Sequence, residues 1–142
     1  MIEVRKVANQ TELEQIFKIR EEVFVKEQEV APEDEYDEFE ETSTHFLATV
    51  DGVACGTARW RQTEKGIKLE RFAVLKNYRN SGVGQEILRV LLADIEEDPN
   101  VSEQKKYMHA QTIAIPFYKK FGFETIGDEF TECGIKHYLM EK

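Results

Sequence analysis

The residues of this sequence whose types and spacing best suit chemistry are Arg79-Asn80-Ser81-Gly82-Val83-Gly84. They follow Lys68-Leu69-Glu70-Arg71-Phe72-Ala73-Val74, a run with strand character, and precede Ile87, Leu88, Val90, Leu91, Leu92 and Ile95 at helical spacing. A strand–loop–helix junction leaves backbone N–H groups without helical partners at the positive end of the helix dipole, which suits a phosphate or pyrophosphate. Gly82 and Gly84 would let phosphate oxygens approach the backbone, and Arg79 adds a charge. Taken alone, the same glycines serve equally well as a tight strand-to-helix turn. Two nucleotide motifs do not fit: GxxxxGK[ST] is absent, and a Rossmann fingerprint needs a third glycine where this chain has Ile87.

Other reactive side chains are dispersed. His45, His109 and His137 show no HExxH or comparable spacing, so no metal site is expected. Cys55 and Cys133 lie far apart, form no CxxC, and read as reduced, with Cys55 in a buried strand. The formal net charge of -9 repels a phosphate backbone and argues against nucleic acid as a partner. Much of that charge is crowded into residues 27–41, which reads as a solvated face or as an acidic rim that attracts a cationic amine. No apolar run is long enough to span a membrane, no signal segment is visible at Met1-Ile2-Glu3-Val4-Arg5, and a cytoplasmic location is expected.

The elements that position the loop can be read in order. The 142 residues, 41% of them hydrophobic, suffice for one core, so a single domain over 1–142 is expected. Glu3 to Val7 alternates as a strand, and Thr11-Glu12-Leu13-Glu14 reads as a capping box for a helix with Leu13, Ile16, Phe17, Arg20, Val23 and Phe24 on one face. Asp51-Gly52 marks a hairpin between strands at 45–50 and 53–61, and a turn at 64–66 leads to a strand ending at Val74. Residues 106–111, 123–126 and 135–140 read as three further strands, with a short helix at 116–121. This order predicts an α+β fold: a mixed, mostly antiparallel sheet of about seven strands with helices on both faces. Trp60 and the Phe-rich segments read as core or pocket wall.

Two blocks then resemble one family. Arg79-Asn80-Ser81-Gly82-Val83-Gly84 matches [QR]xxGx[GA], the acetyl-CoA motif of the GNAT superfamily, and Ala110 to Phe123 resembles that superfamily's fifth strand and short helix, ending in FYxxxGF. The segments from Arg20 to Gln28 and Gly134-Ile135-Lys136-His137 resemble its small bacterial ElaA-like branch, which often has Pro where this chain has Lys136. The resemblance implies acetyl transfer from acetyl-CoA, without a metal, to a primary amine on a small molecule or a protein; a homodimer is compatible with it. It also implies a splayed cleft between the fourth and fifth strands. Phe72, Ala73 and Val74 would meet the pantetheine amides there, Arg79 to Gly84 the pyrophosphate, and Gln111, Ala114 and Phe117 the other wall.

The resemblance places Tyr118 where the hydroxyl donates to the coenzyme A sulfur; otherwise it reads as a packed helix aromatic. An amine with a pKa near ~10.4 needs a base or water chain before it can attack. Glu70 is one candidate, because strand alternation sends it to the face of Phe72 and Val74, and it reads equally as an ion-pair partner of Arg59 or Arg61. His137 is a candidate for touching the acceptor or relaying a proton, or else a core histidine. Three other readings are an acyl-CoA-binding regulatory module without transfer activity, an acyl-homoserine-lactone-synthase-like enzyme, and an interaction domain that uses the acidic segment.

Overall fold

Residues with positive φ set the first turn of the sheet. A computed structural model describes residues 1–142. Asp51 and Gly52, at φ 50° and 83°, close the hairpin between β2 (Thr44–Val50) and β3 (Val53–Thr63), as their residue types predict. β1 (Ile2–Lys6) pairs antiparallel with β2, and β4 (Gly66–Val74) with β3. The crossover helix α3 (Val83–Glu97) brings β5 (Lys106–Gln111) in parallel beside β4. With β6 (Glu124–Glu132) and β7 (Ile135–Glu141) the sheet has seven strands in the order β1-β2-β3-β4-β5-β7-β6. The expected α+β architecture is the observed one.

The helices cover both faces. On one, α3 and α4 (Ile115–Lys119) bury Ile87, Leu88, Leu91, Ile95 and Tyr118 against Phe46, Trp60, Ile67, Leu69 and Met108. On the other, α1 (Gln10–Arg20) buries Ile16 and Ile19 near Leu47 and Ala73, and its π-helical continuation Glu21–Glu27 adds Val23 and Phe24. Each such aliphatic side chain contributes about 1.5–3 kcal/mol. The cap of α1 lies two residues before the expected Thr11: Asn9 accepts from the Glu12 amide at 2.9 Å, and Glu12 accepts from the Ala8 amide at 2.9 Å. Asparagine accepts as threonine would, and it takes the position that satisfies the first amides. No helix is long and apolar enough to cross a membrane.

β4 changes face part-way along. Ile67 and Leu69 belong to the α3 side, but so do Phe72 and Val74, while Ala73 belongs to the α1 side. The register explains this: Thr57 faces Ala73 and Arg59 faces Glu70, so β4 spends one residue more than β3 over the same span. Arg71, at φ 58°, sits in that bulge. Strict alternation placed Glu70 on the face of Phe72 and Val74; the extra residue puts it on the opposite one. β4 and β5 pair only at Ile67–Lys106 and Lys68–Tyr107 and then separate, which opens the splayed cleft.

Charge covers the rest of the α1 face, with α2 (Pro32–Glu35) at its edge. Arg59, 0% exposed, donates to Asp37 at 2.6 Å, Glu40 at 2.8 Å and Glu70 at 2.7 Å. Arg20, 1% exposed, donates to Glu35 at 2.5 Å and Glu40 at 2.7 Å. Residues 27–41 therefore form a solvated rim only in part, because Glu35, Asp37 and Glu40 are folded onto buried guanidiniums. Burial alone would raise the Glu70 carboxyl, but Arg59, Arg61 and Lys68 outweigh it and bring it down to about 2. Burial likewise opposes, and arginine outweighs it, at Asp37 and Glu40, which are also held low.

Arg59→Leu removes the central cation and is expected to cost about 3–5 kcal/mol at neutral pH. Carboxyls held low in the folded state stabilise it above the unfolded carboxylate range, and that stability is lost as pH falls toward the folded value. The deficit of the variant should therefore shrink between about pH 5 and about pH 3, which urea unfolding at both pH values measures.

Candidate active site

The glycine loop has the free amides its sequence suggests. Gly82, at φ 92°, caps α3 without a side-chain hydrogen bond, and the first bond back to it comes from the Glu86 amide at 3.0 Å. The amides of Val83, Gly84 and Gln85 have no backbone acceptor. A Cβ at Gly84 would stand 3.6 Å from the Phe117 ring and 3.9 Å from Val74, so this glycine lies where α3, α4 and the end of β4 converge. Arg79 donates through Nε to the Val74 carbonyl at 2.8 Å and pairs with Glu27 at 2.6 and 2.7 Å.

The end of β4 presents an open edge. Leu75 donates to the Cys55 carbonyl at 2.8 Å, and antiparallel parity then turns the backbone groups of Ala73 toward β3 and those of Phe72 and Val74 toward the cleft. Ala73 thus departs from its expected place: its side chain joins the α1 cluster and its amide faces the sheet. The backbone groups of Phe72 and the Val74 amide remain available to an extended chain bearing amides, while the Val74 carbonyl is held by Arg79.

The cleft between the strands measures about 380 Å³ and is lined by Glu70 and Phe72 on one side and Gln111, Ala114 and Tyr118 on the other. Tyr118 is 7% exposed and meets Phe72 and Phe117 edge-on at 5.6 and 5.2 Å. Its hydroxyl makes no hydrogen bond to the protein, and burial pushes the phenol far up, so the group stays a donor. Gln111 exchanges hydrogen bonds with Gln28 at 3.0 and 3.4 Å, tying β5 to the end of the π-helical turn. Glu70 also lines the cleft, yet as the ion-pair partner of Arg59, Arg61 and Lys68.

At the β6–β7 end of the cleft, His137 is 7% exposed and donates from Nδ1 to the Ile135 carbonyl at 2.7 Å, which leaves its Nε2 lone pair free. Beside it stands Glu132, a residue sequence reasoning missed. Its carboxyl accepts from His109 Nδ1 at 3.1 Å, and that hydrogen bond holds it below the usual range. The missed signal was a second hairpin: Cys133 and Gly134, at φ 51° and 76°, join β6 to β7 and set Glu132 beside Ile135.

A family model described as an acetyltransferase (GNAT) domain matches residues 7–142. The chain belongs to the GNAT acetyltransferase family. GNAT members move acyl groups from acyl-CoA. YjcF of Bacillus subtilis, described as an uncharacterized N-acetyltransferase, is 42% identical over 135 residues, which cover 94% of each chain. Escherichia coli ElaA shares the GNAT fold with a TM-score of 0.87 at 23% identity, covering 99% of both chains. Arabidopsis thaliana Naa50, in complex with the bisubstrate analogue CoA-Ac-MVNAL, superposes with a TM-score of 0.72 at 24% identity over 99% of this chain and 97% of that one.

Gly84→Val should lower acetyl-CoA affinity at least tenfold, because a side chain would fill the approach to the free amides. Helix propensity changes little, but the γ-methyls reach beyond a Cβ that already touches the Phe117 ring at 3.6 Å, so a loss of about 1–3 kcal/mol in urea unfolding is expected. Gly82 is the poorer test, because any side chain strains its φ of 92°. Calorimetry beside unfolding separates binding from folding.

Proposed function

We propose that the chain acts as one catalytic domain over residues 1–142 and transfers the acetyl group of acetyl-CoA to a primary amine. The observation that carries this is convergence at a single fork: the free amides of the α3 N-terminus, the open edge formed by the Phe72 backbone and the Val74 amide, and the unpartnered hydroxyl of Tyr118. These features suit, in turn, a pyrophosphate, a pantetheine arm and a sulfur atom. The bisubstrate analogue held by Naa50 supports the same reading by analogy of fold. In the liganded state Arg79, Asn80, Ser81 and Val83 frame the pyrophosphate, while Gln111, Ala114 and Phe117 wall the cleft opposite β4.

When bound, acetyl-CoA supplies the thioester carbon that the amine attacks and the thiolate that leaves. His137 Nε2 takes a proton from the amine, with the imidazole held in the required tautomer by Ile135. Glu70 is a poor base at about 2, and its role is to balance the cations of the cleft wall. Tyr118 donates a hydrogen bond as negative charge gathers on sulfur. A phenol raised by burial keeps its proton against a thiol near ~8.5, so it stabilises the thiolate without ionising.

Acetyl-CoA should raise the melting temperature, with about 2.7 kcal/mol of stabilisation at a hundredfold excess over Kd. No shift at saturation would refute the proposal. Tyr118→Phe keeps the ring contacts and removes only the donor, so kcat should fall roughly 10- to 1000-fold with acetyl-CoA Kd nearly unchanged. Free-thiol release across a panel of primary amines measures the rate; an unchanged kcat would exclude the donor role.

A further inference from the structure

We infer that Glu132, seated between His109 and His137, binds the ammonium group of the acceptor and selects cationic primary amines, an inference that rests on the acyl-transfer reading of the same cleft. Three strands bring the site together. In the sheet register Glu132 faces Ile135, Phe130 faces His137 and Gln111 faces His137, so β5, β6 and β7 present His109, Glu132 and His137 on one face. Phe130 braces both imidazoles, stacked on His137 at 5.8 Å and edge-on to His109 at 5.2 Å.

The hydrogen bonds leave two polar atoms of this cluster without a protein partner. His109 Nδ1 occupies Oε1 of Glu132 at 3.1 Å. The other oxygen, Oε2, lies 3.9 Å from His137 Nε2, too far for a hydrogen bond. Because His137 Nδ1 is committed to the Ile135 carbonyl, Nε2 is the acceptor of the neutral ring. Oε2 of Glu132 and Nε2 of the neutral His137 ring are thus two acceptors 3.9 Å apart, neither bonded to a protein donor. A nitrogen about 2.8 Å from each fits the gap, and a primary ammonium carries enough protons to serve both. The same nitrogen can pass one proton to Nε2, which leaves a neutral amine with its lone pair ready for attack.

The remaining cleft carboxylates are otherwise engaged. Glu35 pairs with Arg20, Asp37 with Arg59 and Arg71, and Glu70 with Arg59, Arg61 and Lys68. Lys68, the cation whose charge reaches Glu132 from β4, is tied to Glu70 at 3.3 Å. Asp34 has no such partner but is exposed. Glu132 is half-buried and meets no lysine or arginine, so its charge is open to a ligand.

The test uses the whole protein with histidine side chains isotopically labelled, and butylammonium chloride as the probe. Against sodium chloride at equal ionic strength, butylammonium should shift the ring signals of His109 and His137 saturably, and 1-butanol should not. Glu132→Gln should weaken that binding tenfold or more, the scale of one hydrogen bond to a charged group, and leave acetyl-CoA affinity within about twofold. The same spectra show whether the variant is folded. No shift in the wild type, an equal response to 1-butanol, or unchanged binding in a folded Glu132→Gln would overturn the inference. Butylammonium shifts without any acetyl-CoA stabilisation would instead refute the acyl-transfer reading and leave the ammonium site standing.

Discussion

One surplus residue in β4 governs the site. Because β4 sets Arg71 and Phe72 against the single Ala58 of β3, the chain at Arg71 takes a left-handed conformation and the strand reverses the faces it presents. Before the bulge, Glu70 and Lys68 point to the α1 side, where Glu70 takes Arg59, Arg61 and Lys68 itself as partners. After it, Phe72 and Val74 turn to the α3 side, where they meet Tyr118, Phe117 and the glycine loop. β5, in register with β4 for only two residue pairs, parts from it, and the open edge remains. The cleft is thus a place where a sheet stops, with each wall already assigned its chemistry by strand parity.

The charged layer on the α1 face follows from the same geometry. Desolvating Arg59 and Arg20 would be prohibitive if they were unpaired, and the acidic segment after the π-helical turn supplies the partners. Arg61 lies over the Phe39 ring at 3.7 Å and adds a cation–π contact at the border of this layer. In the wall of the cleft Glu35, Asp37 and Glu70 are paired with arginine or lysine, and electrostatic selection falls to the few groups left without a counter-ion.

Local signals in the sequence were legible. Asp51-Gly52 declared its hairpin, the glycine loop declared a strand-to-helix junction, and the apolar spacing of α3 declared a buried face. What failed depended on distant partners. The bulge falls on an arginine, a residue with no special liking for positive φ, so nothing near Arg71 announces it. The neutralisation of Asp37 needs Arg59, 22 residues on, and Glu132 meets a histidine 23 residues before it. The sixth strand, expected over 123–126, runs on as β6 to Glu132 through a register shift between Ile126 and Phe130, with Gly127 at φ 75°. Edge strands tolerate such polar interruptions, and for that reason their patterns are hard to read.

The pairing of Arg79 with Glu27 and the Val74 carbonyl carries a consequence for how an anion enters. The guanidinium that would greet a pyrophosphate is already satisfied, so ligand entry exchanges one set of polar contacts for another. Added salt screens the internal pair and the incoming phosphate alike. Affinity for the anion should therefore vary with ionic strength less steeply than the charges on the ligand would suggest, because the loop holds in reserve an internal carboxylate that competes under the same conditions.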